Sequence, residues 1–593
     1  MVRRGLTLTA RLAGWLLASL VVLVALAIWR LAGGPIALEF ATPYLERALT
    51  PDGGEITTRI AATELRIGQR EGLAVVALGV EVRGPSGEVL IDLPEVEVGF
   101  SAQALAFHQV LAPSRLRARA PELILARRAD GSVGLKGTRS RGGEALDLEL
   151  LAGPVLAEPD PARPLSYLEL VAIEGARVAL EDEQSGTTLR ARDGGLTIVR
   201  EGASLAGRAV VTIDREDRVV GLTALLRLDP ERDQIDGALD LRDVEPVDVR
   251  LIQAFLPAAV QADLESLPLE MLELAVRGRL RATADLKGEV RTASFRISSD
   301  GGRIAWPGQL ERPLEIDRLS ASGTVVPGAR TLAVEGLDLV ANGATISGRG
   351  EVRLEPPGPR VRAEIEARDV AVAHLPALWP VRAADEARAW VTENITAGRA
   401  PEGRVTIDLE PGDLARRPLP EDALGGFFTF EDLTVRYFEA LPPVAGVDGR
   451  ATFDAQTMTF QATGGRIGKL EAQTASVVIT GIGIKGRDTT QLEVETTIEG
   501  PFADALALID HPPFGFASEL GLDPGSARGA SRTELRIGLP LHREVSEDEV
   551  RVAADATLAA VAVDDLFGRV DLRDGAFDLE VSRAAMTVVG RGL

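Results

Sequence analysis

Residues 359–369, PRVRAEIEARD, indicate most directly how this chain folds. Val361, Ala363, Ile365 and Ala367 alternate along this stretch with arginine and glutamate. Successive side chains of a β-strand point to opposite faces, so strict alternation predicts a strand with one apolar face and one charged face. The stretch therefore predicts a sheet that is dry on one side and wet on the other.

The same alternation recurs along most of the chain. From about residue 55 we count roughly thirty such runs, separated by turn signals such as Asp130–Gly131, Asp300–Gly301 and Asp574–Gly575. Asp–Gly pairs between alternating segments are typical of β-hairpins. Strands that come in runs, with helices only between them, predict an antiparallel sheet rather than a βαβ fold.

Helical patterns interrupt the strands at three places, residues 246–270, 374–396 and 502–510. We interpret them as plugs or caps on the sheet.

A degenerate strand–strand–Gly repeat is visible in residues 321–354 and again in residues 447–479, and it returns near the end of the chain. A repeating meander makes an extensible sheet, although generic similarity between β-meanders explains the same pattern.

Composition excludes several classes of function. The 593 residues carry a formal net charge of −23, and only 4% are aromatic, which disfavours binding of nucleic acid. The chain has no Cys, and its four His lack the spacing of zinc enzymes. Gly481–Gly486 matches a dinucleotide-loop pattern, but alternating strand follows it where a helix would be needed. We expect no metal, no cofactor and no enzymatic activity.

The N-terminal region predicts a membrane anchor. Eighteen uncharged residues, 12–29, lie between Arg11 and Arg30 and would span about 27 Å as a helix, close to the thickness of a bilayer core. Trp15 and Trp29 fit the two membrane interfaces. Three arginines precede the stretch, so the positive-inside rule places the N-terminus in the cytoplasm. A cleaved signal peptide and a buried core helix are the alternatives.

Three stretches resemble the AsmA-like family and its YhdP-type members. Residues 91–131 resemble the N-terminal signature of the family, in which a strand pair precedes a short helix and a strand ending in an Arg-rich DG turn. Residues 378–400, with Trp–Pro and Arg–x–Trp–Val, resemble the central domain of YhdP-type members, as do residues 430–454. The resemblance implies a protein anchored in the inner membrane of a Gram-negative bacterium, with its bulk in the periplasm. It also implies a taco-like β-groove that takes part in moving phospholipid between the two membranes.

Physical reasoning leads to the same fold class. A sheet of about thirty strands spaced about 4.8 Å apart would run roughly 140 Å, which is too long for one compact core. Its apolar face must roll up, pack on a second sheet or cover something else. Together with the resemblance, which implies the groove, these considerations lead us to predict a mostly β protein: an N-terminal transmembrane helix, then an elongated, curved antiparallel β-groove with a few short helical inserts. Two or three closed β-sandwiches with dry cores and no ligand are the alternative.

Candidate groove-lining residues are the apolar members of four alternating runs, although a register slip of one residue would move each set to the other face. They are Leu272, Leu274, Val276, Val361, Ile365, Leu492, Val494, Phe577 and Leu579. We expect phospholipid as the ligand and the inner membrane as a partner through residues 12–29. The second hypothesis is an envelope scaffold or assembly factor that binds outer-membrane proteins or other envelope partners through exposed sheet edges, with no lipid conduit.

The predicted organisation has six segments. They are residues 1–33, cytoplasmic tip and anchor; 34–135, N-terminal AsmA-like β segment; 136–165, linker; 166–373, β-groove with an insert near 246–270; 374–400, helical insert; and 401–593, YhdP-like β-groove. The last residues repeat the pattern of residues 346–350 but stop before the strand that follows there. We therefore expect the native protein to continue beyond residue 593.

Overall fold

The computed structural model describes most of the chain from residue 34 onward. The described ranges are 34–50, 56–68, 72–84, 87, 89–128, 133–136, 146–147, 159–183, 186–215, 218–253, 269–382, 384–438, 441–484, 490–511, 515–519, 521–542, 545–546, 549–566, 570–582 and 586–591. The predicted anchor, residues 12–29, with Trp15 and Trp29, lies outside them. Within the described residues, no helix has the length and apolar character needed to cross a bilayer.

The chain divides into two compact units. Unit 1 comprises residues 1–268 and 276–291, and unit 2 comprises residues 269–275 and 292–593. Both are built mainly of antiparallel strands, as the alternation predicts, and the six predicted segments remain predictions.

Among the described residues, fourteen strands belong to unit 1. They are β1 Ile36–Ala37, β2 Thr57–Gly68, β3 Gly72–Arg83, β4 Val89–Phe100, β5 Pro113–Arg119, β6 Glu122–Arg127, β7 Val133–Lys136, β8 Leu146–Asp147, β9 Leu170–Asp182, β10 Thr187–Glu201, β11 Ser204–Asp214, β12 Val219–Asp229, β13 Gln234–Val244 and β15 Val276–Ala284. Neighbours pair in sequence order from β1 to β4 and again from β9 to β13, after which β13 pairs with β15.

Two strand pairings in unit 1 depart from the predicted antiparallel sheet. Strand β9 runs parallel to both β5 and β6. These two strands are halves of one broken strand, because Ala120 between them has a φ of 47° and Pro121 follows it. A parallel neighbour requires the chain to return to the same end of the sheet, which a hairpin cannot do.

The remaining strands belong to unit 2, apart from the first two residues of β16. They are β14 Leu272–Leu274, β16 Val290–Ser299, β17 Gly302–Ile304, β18 Leu314–Val326, β19 Thr331–Ala341, β20 Ala344–Glu355, β21 Gly358–Ala371, β22 Ile395–Leu409, β23 Leu424–Val435, β24 Val444–Asp454, β25 Met458–Thr463, β26 Arg466–Ile467, β27 Leu470–Thr480, β28 Gln491–Pro501, β29 Ala527–Pro540, β30 Arg551–Leu566, β31 Val570–Ser582 and β32 Met586–Gly590. From β18 to β32 they form an antiparallel meander in sequence order, with short β26 pairing beside β25.

Short helices lie between strands of the described residues. They are α1 Thr42–Leu49, α2 Pro246–Gln253, α3 Leu375–Leu378, α4 Asp385–Asn394, α5 Phe502–Asp510 and α6 Phe516–Glu519. Helices α2 to α5 fall within the three stretches predicted to be helical, whereas α1 and α6 lie outside them. The predicted helix over 374–396 is interrupted, because the chain leaves α3 at Trp379–Pro380 and re-enters a helix only after Ala384, whose φ is 48°. Arg388 holds the two pieces together by donating from Nε to the Trp379 carbonyl at 3.0 Å.

Candidate functional site

The strand register of unit 2 aligns apolar residues into rows that cross the strands at right angles. The first apolar row passes through Ile365, whose partners are Gly348 on one side and Val405 on the other. It takes one residue from each of twelve strands: Ile297, Ala321, Leu337, Gly348, Ile365, Val405, Gly426, Phe453, Met458, Ile479, Leu492 and Leu539. No member of this row is charged or polar.

A second apolar row lies two residues further along eleven of these strands and continues onto β30, whereas the register position on β16 is the polar Ser299. It comprises Leu319, Leu339, Ile346, Ala367, Gly403, Phe428, Ala451, Phe460, Val477, Val494, Ile537 and Val552. Both rows lie on one face because side chains two residues apart on a strand point the same way. The face is therefore apolar in two dimensions, along the strands and across them.

Unit 1 contains a row of the same kind. It comprises Leu65, Val75, Val98, Leu116, Val171, Ile198, Gly207, Leu226, Gly237 and Ala282. A charged residue does occur on this face: Arg200 lies two residues beyond Ile198 and donates to the Ser166 carbonyl at 2.8 Å. Partial burial lowers the pKa of Arg200.

The opposite face of each sheet carries ion pairs between directly facing residues. Arg349 and Glu364 are register partners with a nitrogen–oxygen distance of 2.7 Å in unit 2. Asp240 and Arg279 face each other in unit 1, and the hydrogen bond from Arg279 lowers the pKa of Asp240. Exposed pairs of this kind contribute only about 0–1 kcal/mol each. Their main effect is to fix which face stays in water, because burying either partner alone would be costly.

Much of the apolar face is open rather than packed. In unit 2, 37% of Ile365 is exposed, and in unit 1, 52% of Leu226 is exposed. A closed β-sandwich would bury such central strand positions almost completely. The described residues therefore leave large aliphatic side chains uncovered on the middle of the sheet.

The closed part of each face lies beyond a bend in the strands. In β23 the register shifts between Phe430 and Leu433, where Asp432 has a φ of 52°. In β13 it shifts before Val244, where Asp243 also has a φ of 52°. Bulges of this kind bend a strand and increase its twist. Further positive-φ strand residues are Asp193, Asp369, Ala560 and Asp574.

Residues just beyond these bulges are buried, unlike the open middle of the sheet. Leu433 is 8% exposed and Val244 is 5% exposed. Short helices cover the buried ends. In unit 1, Val249 of α2 packs against the cluster that contains Val244. In unit 2, Leu506 of α5 packs on the cluster around Leu558. The sheet thus has a closed, helix-covered end and an open apolar surface.

Three aromatic rings lie directly over glycines of the neighbouring strand. A Cβ atom built on Gly426 would lie 2.7 Å from Cζ of Phe453, its register partner. A Cβ atom built on Gly449 would likewise meet the ring of its register partner Phe430, and one built on Gly323 would meet the ring of its register partner Phe295. Because each glycine has no side chain, the ring of its partner lies flat along the sheet, in the space that a side chain at the glycine position would fill.

The structure distributes the nine predicted lining residues over both units. Ile365 and Leu492 fall in the first apolar row, and Val494 falls in the second. Val361 lies on the same face, four residues before Ile365, opposite Val352. Val276 belongs to unit 1, where it pairs with Val244.

The other four predicted residues lie near covered parts of unit 2. Leu274 is only 4% exposed and faces Gly302, and Leu272 faces Ile304. Phe577 and Leu579 are half-buried against the cluster around Leu506. Sequence reasoning missed the Phe–Gly pairs and the bulges, for which the available signals were isolated Gly residues and Asp residues inside strand-like runs.

Within the described residues, no group of three or more His, Asp or Glu side chains is placed to hold a metal ion.

Comparison with known proteins gives one finding that bears on the site. A family model described as YhdP protein matches residues 241–583, which is more than half of the chain and includes both apolar rows of unit 2. A search of curated proteins finds no match.

Proposed function

The chain belongs to the YhdP family, and from that premise we propose that it shelters phospholipid acyl chains on its apolar rows while the headgroups remain in water. In this proposal the protein is anchored in the inner membrane of a Gram-negative bacterium, lies mostly in the periplasm and supports lipid transport toward the outer membrane. No catalytic step is needed, because transport of this kind changes only the position of the lipid.

The observation that carries the proposal is the first apolar row: twelve uncharged residues in register, with Ile365 at its middle still 37% exposed. An exposed apolar surface of this extent requires a cover. An acyl chain of about 16 carbons would gain on the order of 10 kcal/mol if fully sheltered, at about 0.8 kcal/mol per methylene.

Movement along the row follows from its uniformity. A charged residue in the row would either repel the acyl chain or require a partner, since burying an unpaired charge is costly. A row of aliphatic residues, flat aromatic rings and glycines offers similar contacts at each strand. A lipid would therefore meet no deep minimum that holds it at one strand.

Site-specific photo-crosslinking tests the proposal. A photo-reactive amino acid is placed at Ile365 and, as the matched control, at Thr406, which is exposed on the charged face opposite Glu364. Thr406 is uncharged, so its replacement removes no ion pair. We expect mass spectrometry to find phospholipid attached at Ile365 and none at Thr406.

The competing scaffold hypothesis gives a different result. If folded, membrane-associated protein yields protein adducts at Ile365, or no adduct at either position, the apolar face does not hold lipid and the proposal fails. Equal labelling at both positions would also refute it, because the charged face has no surface that shelters an acyl chain.

A further inference from the structure

Large hydrophobic side chains protrude from the N-terminal part of unit 1. Phe107 is 78% exposed, Phe40 74%, Tyr44 59% and Leu105 54%. Only 4% of the chain is aromatic, so three such exposed rings within one region are notable. Exposed apolar groups that lie together mark surfaces for contact with a protein or a membrane.

Packing brings the segments that carry these residues together. Helix α1 buries Leu45 against the first strands of unit 1 and contacts the short turn Pro164–Tyr167. The ring of Tyr167 lies 6.5 Å from that of His108, the last residue of the helical turn Ala104–His108. We call the exposed side chains of Phe40, Tyr44, Leu105 and Phe107 the aromatic end of unit 1.

We propose that the aromatic end sits in the interfacial region of the membrane in which the chain is anchored. This inference rests on the anchor in the proposed function. A Tyr side chain favours the headgroup region, where its ring contacts acyl chains and its hydroxyl remains hydrated, and Phe and Leu side chains on an interfacial surface bury at the boundary between headgroups and acyl chains. Helix α1 has this character, with Leu45 buried toward the sheet and Tyr44 turned outward.

The length of chain before the structure begins supports a membrane as the occupant. The predicted span ends at Trp29, and the described residues begin at Gly34. The five Cα-to-Cα steps from Trp29 to Gly34 reach at most about 18 Å when fully extended. A tether this short holds Gly34, and the first strand that follows it, close to the bilayer surface.

The placement has a consequence for lipid entry. The apolar row of unit 1 starts at Leu65, and the register partner of Leu65 is Ile36 in the first strand. The row therefore begins beside the segment that the tether holds at the membrane. A lipid leaving the outer leaflet of that membrane would meet the first residues of the row directly.

Nitroxide accessibility tests the inference on the whole chain with its anchor. The protein has no Cys, so single cysteines at Phe107 and, separately, Leu105 can be spin-labelled without background. Both lie far from the anchor in sequence, whereas Phe40 would lie near a bilayer in any case. The control label is placed at Arg208, an exposed residue on the charged face of β11.

In vesicles of phosphatidylethanolamine and phosphatidylglycerol, we expect labels at Phe107 and Leu105 to be accessible to oxygen and shielded from a water-soluble nickel reagent. The Arg208 label should show the reverse. Nickel access at both test positions would overturn the inference, as would shielding from both reagents, which indicates a protein contact. Neither outcome depends on lipid adducts at Ile365, so failure here is distinguishable from failure of the proposed function.

Discussion

The Phe453–Gly426 pair leads to a sharp prediction about the floor of the apolar face. Gly425 and Gly426 are adjacent in β23 but point to opposite faces, so they form a matched pair. A Cβ atom on Gly426 would lie 2.2 Å from the Arg404 carbonyl oxygen and 2.7 Å from Phe453 Cζ. A Cβ atom on Gly425 would have its closest contact at 3.5 Å, with Oγ1 of Thr406.

Replacing each glycine with alanine should therefore give very different results. Gly426→Ala must displace the ring and shift the backbone, and overpacking of this kind costs about 1–3 kcal/mol. Gly425→Ala meets only ordinary contacts and should change stability by less than about 0.5 kcal/mol. The chain has two units, so a single unfolding midpoint would not report on this site.

Hydrogen exchange resolves the local effect. In the hairpin of β23 and β24, a loss of about 1–3 kcal/mol corresponds to backbone amides exchanging roughly fivefold to 150-fold faster. We expect this acceleration in Gly426→Ala and not in Gly425→Ala. If amide exchange is accelerated in both variants, or in neither, the claim that the Phe453 ring lies flat because Gly426 leaves room for it is refuted.

Two further predictions concern residues away from the apolar rows. Arg388 is 7% exposed and donates a hydrogen bond to Oε2 of Glu311 at 2.7 Å. Arg388→Ala should lower the stability of the region around α4 by about 1–3 kcal/mol and accelerate amide hydrogen exchange in α4. Unchanged exchange would show that the hydrogen bonds of Arg388 do not hold this helix in place. Ser546 donates from its backbone N–H and its hydroxyl to Glu549 and lowers the pKa of that carboxyl to about 2. The stabilisation that these hydrogen bonds to the Glu549 carboxylate give the folded protein is fully present above pH 4.5, the ordinary pKa of this carboxyl, and is lost as the pH falls toward 2. Ser546→Ala should raise the pKa of Glu549, which a carboxyl NMR titration measures. An unchanged pKa would show that Ser546 is not the cause of the low value.

Alternation in the sequence was sufficient to predict which residues of one strand share a face. It correctly groups Val361 with Ile365 and Leu492 with Val494, because side chains of an unbroken strand alternate without exception. It also predicts the helix at 502–510, which the structure places at Phe502–Asp510. The antiparallel meander follows from the absence of long helices between most strands.

Bulges explain why the full face could not be derived in this way. At Asp432 one extra residue enters β23, so Phe428 and Phe430 share a face with Leu433 instead of Asp432. Assigning every second residue to the same face therefore gives the wrong face for the residues beyond each bulge. Aspartate tolerates a positive φ better than most residues, yet nothing local distinguishes Asp432 from a solvent-facing strand aspartate.

The rows themselves depend on register between strands. Ile365 and Leu492 are more than a hundred residues apart, and only the successive hairpins between them determine that they share a row. The Phe–Gly pairs have the same origin, because each joins residues on different strands. Sequence patterns describe single strands, whereas the candidate site is a property of how neighbouring strands align.

The in-register rows of unit 2 also bear on how such a protein changes over evolutionary time. Each hairpin contributes one residue per strand to every row, so adding or deleting a whole hairpin changes the row by about 10 Å and leaves its cross-section unchanged. A change within a strand would instead disturb the alignment of every row that crosses it. The hairpin is therefore the natural unit of growth, and selection can adjust the reach of the sheet in steps without rebuilding the surface.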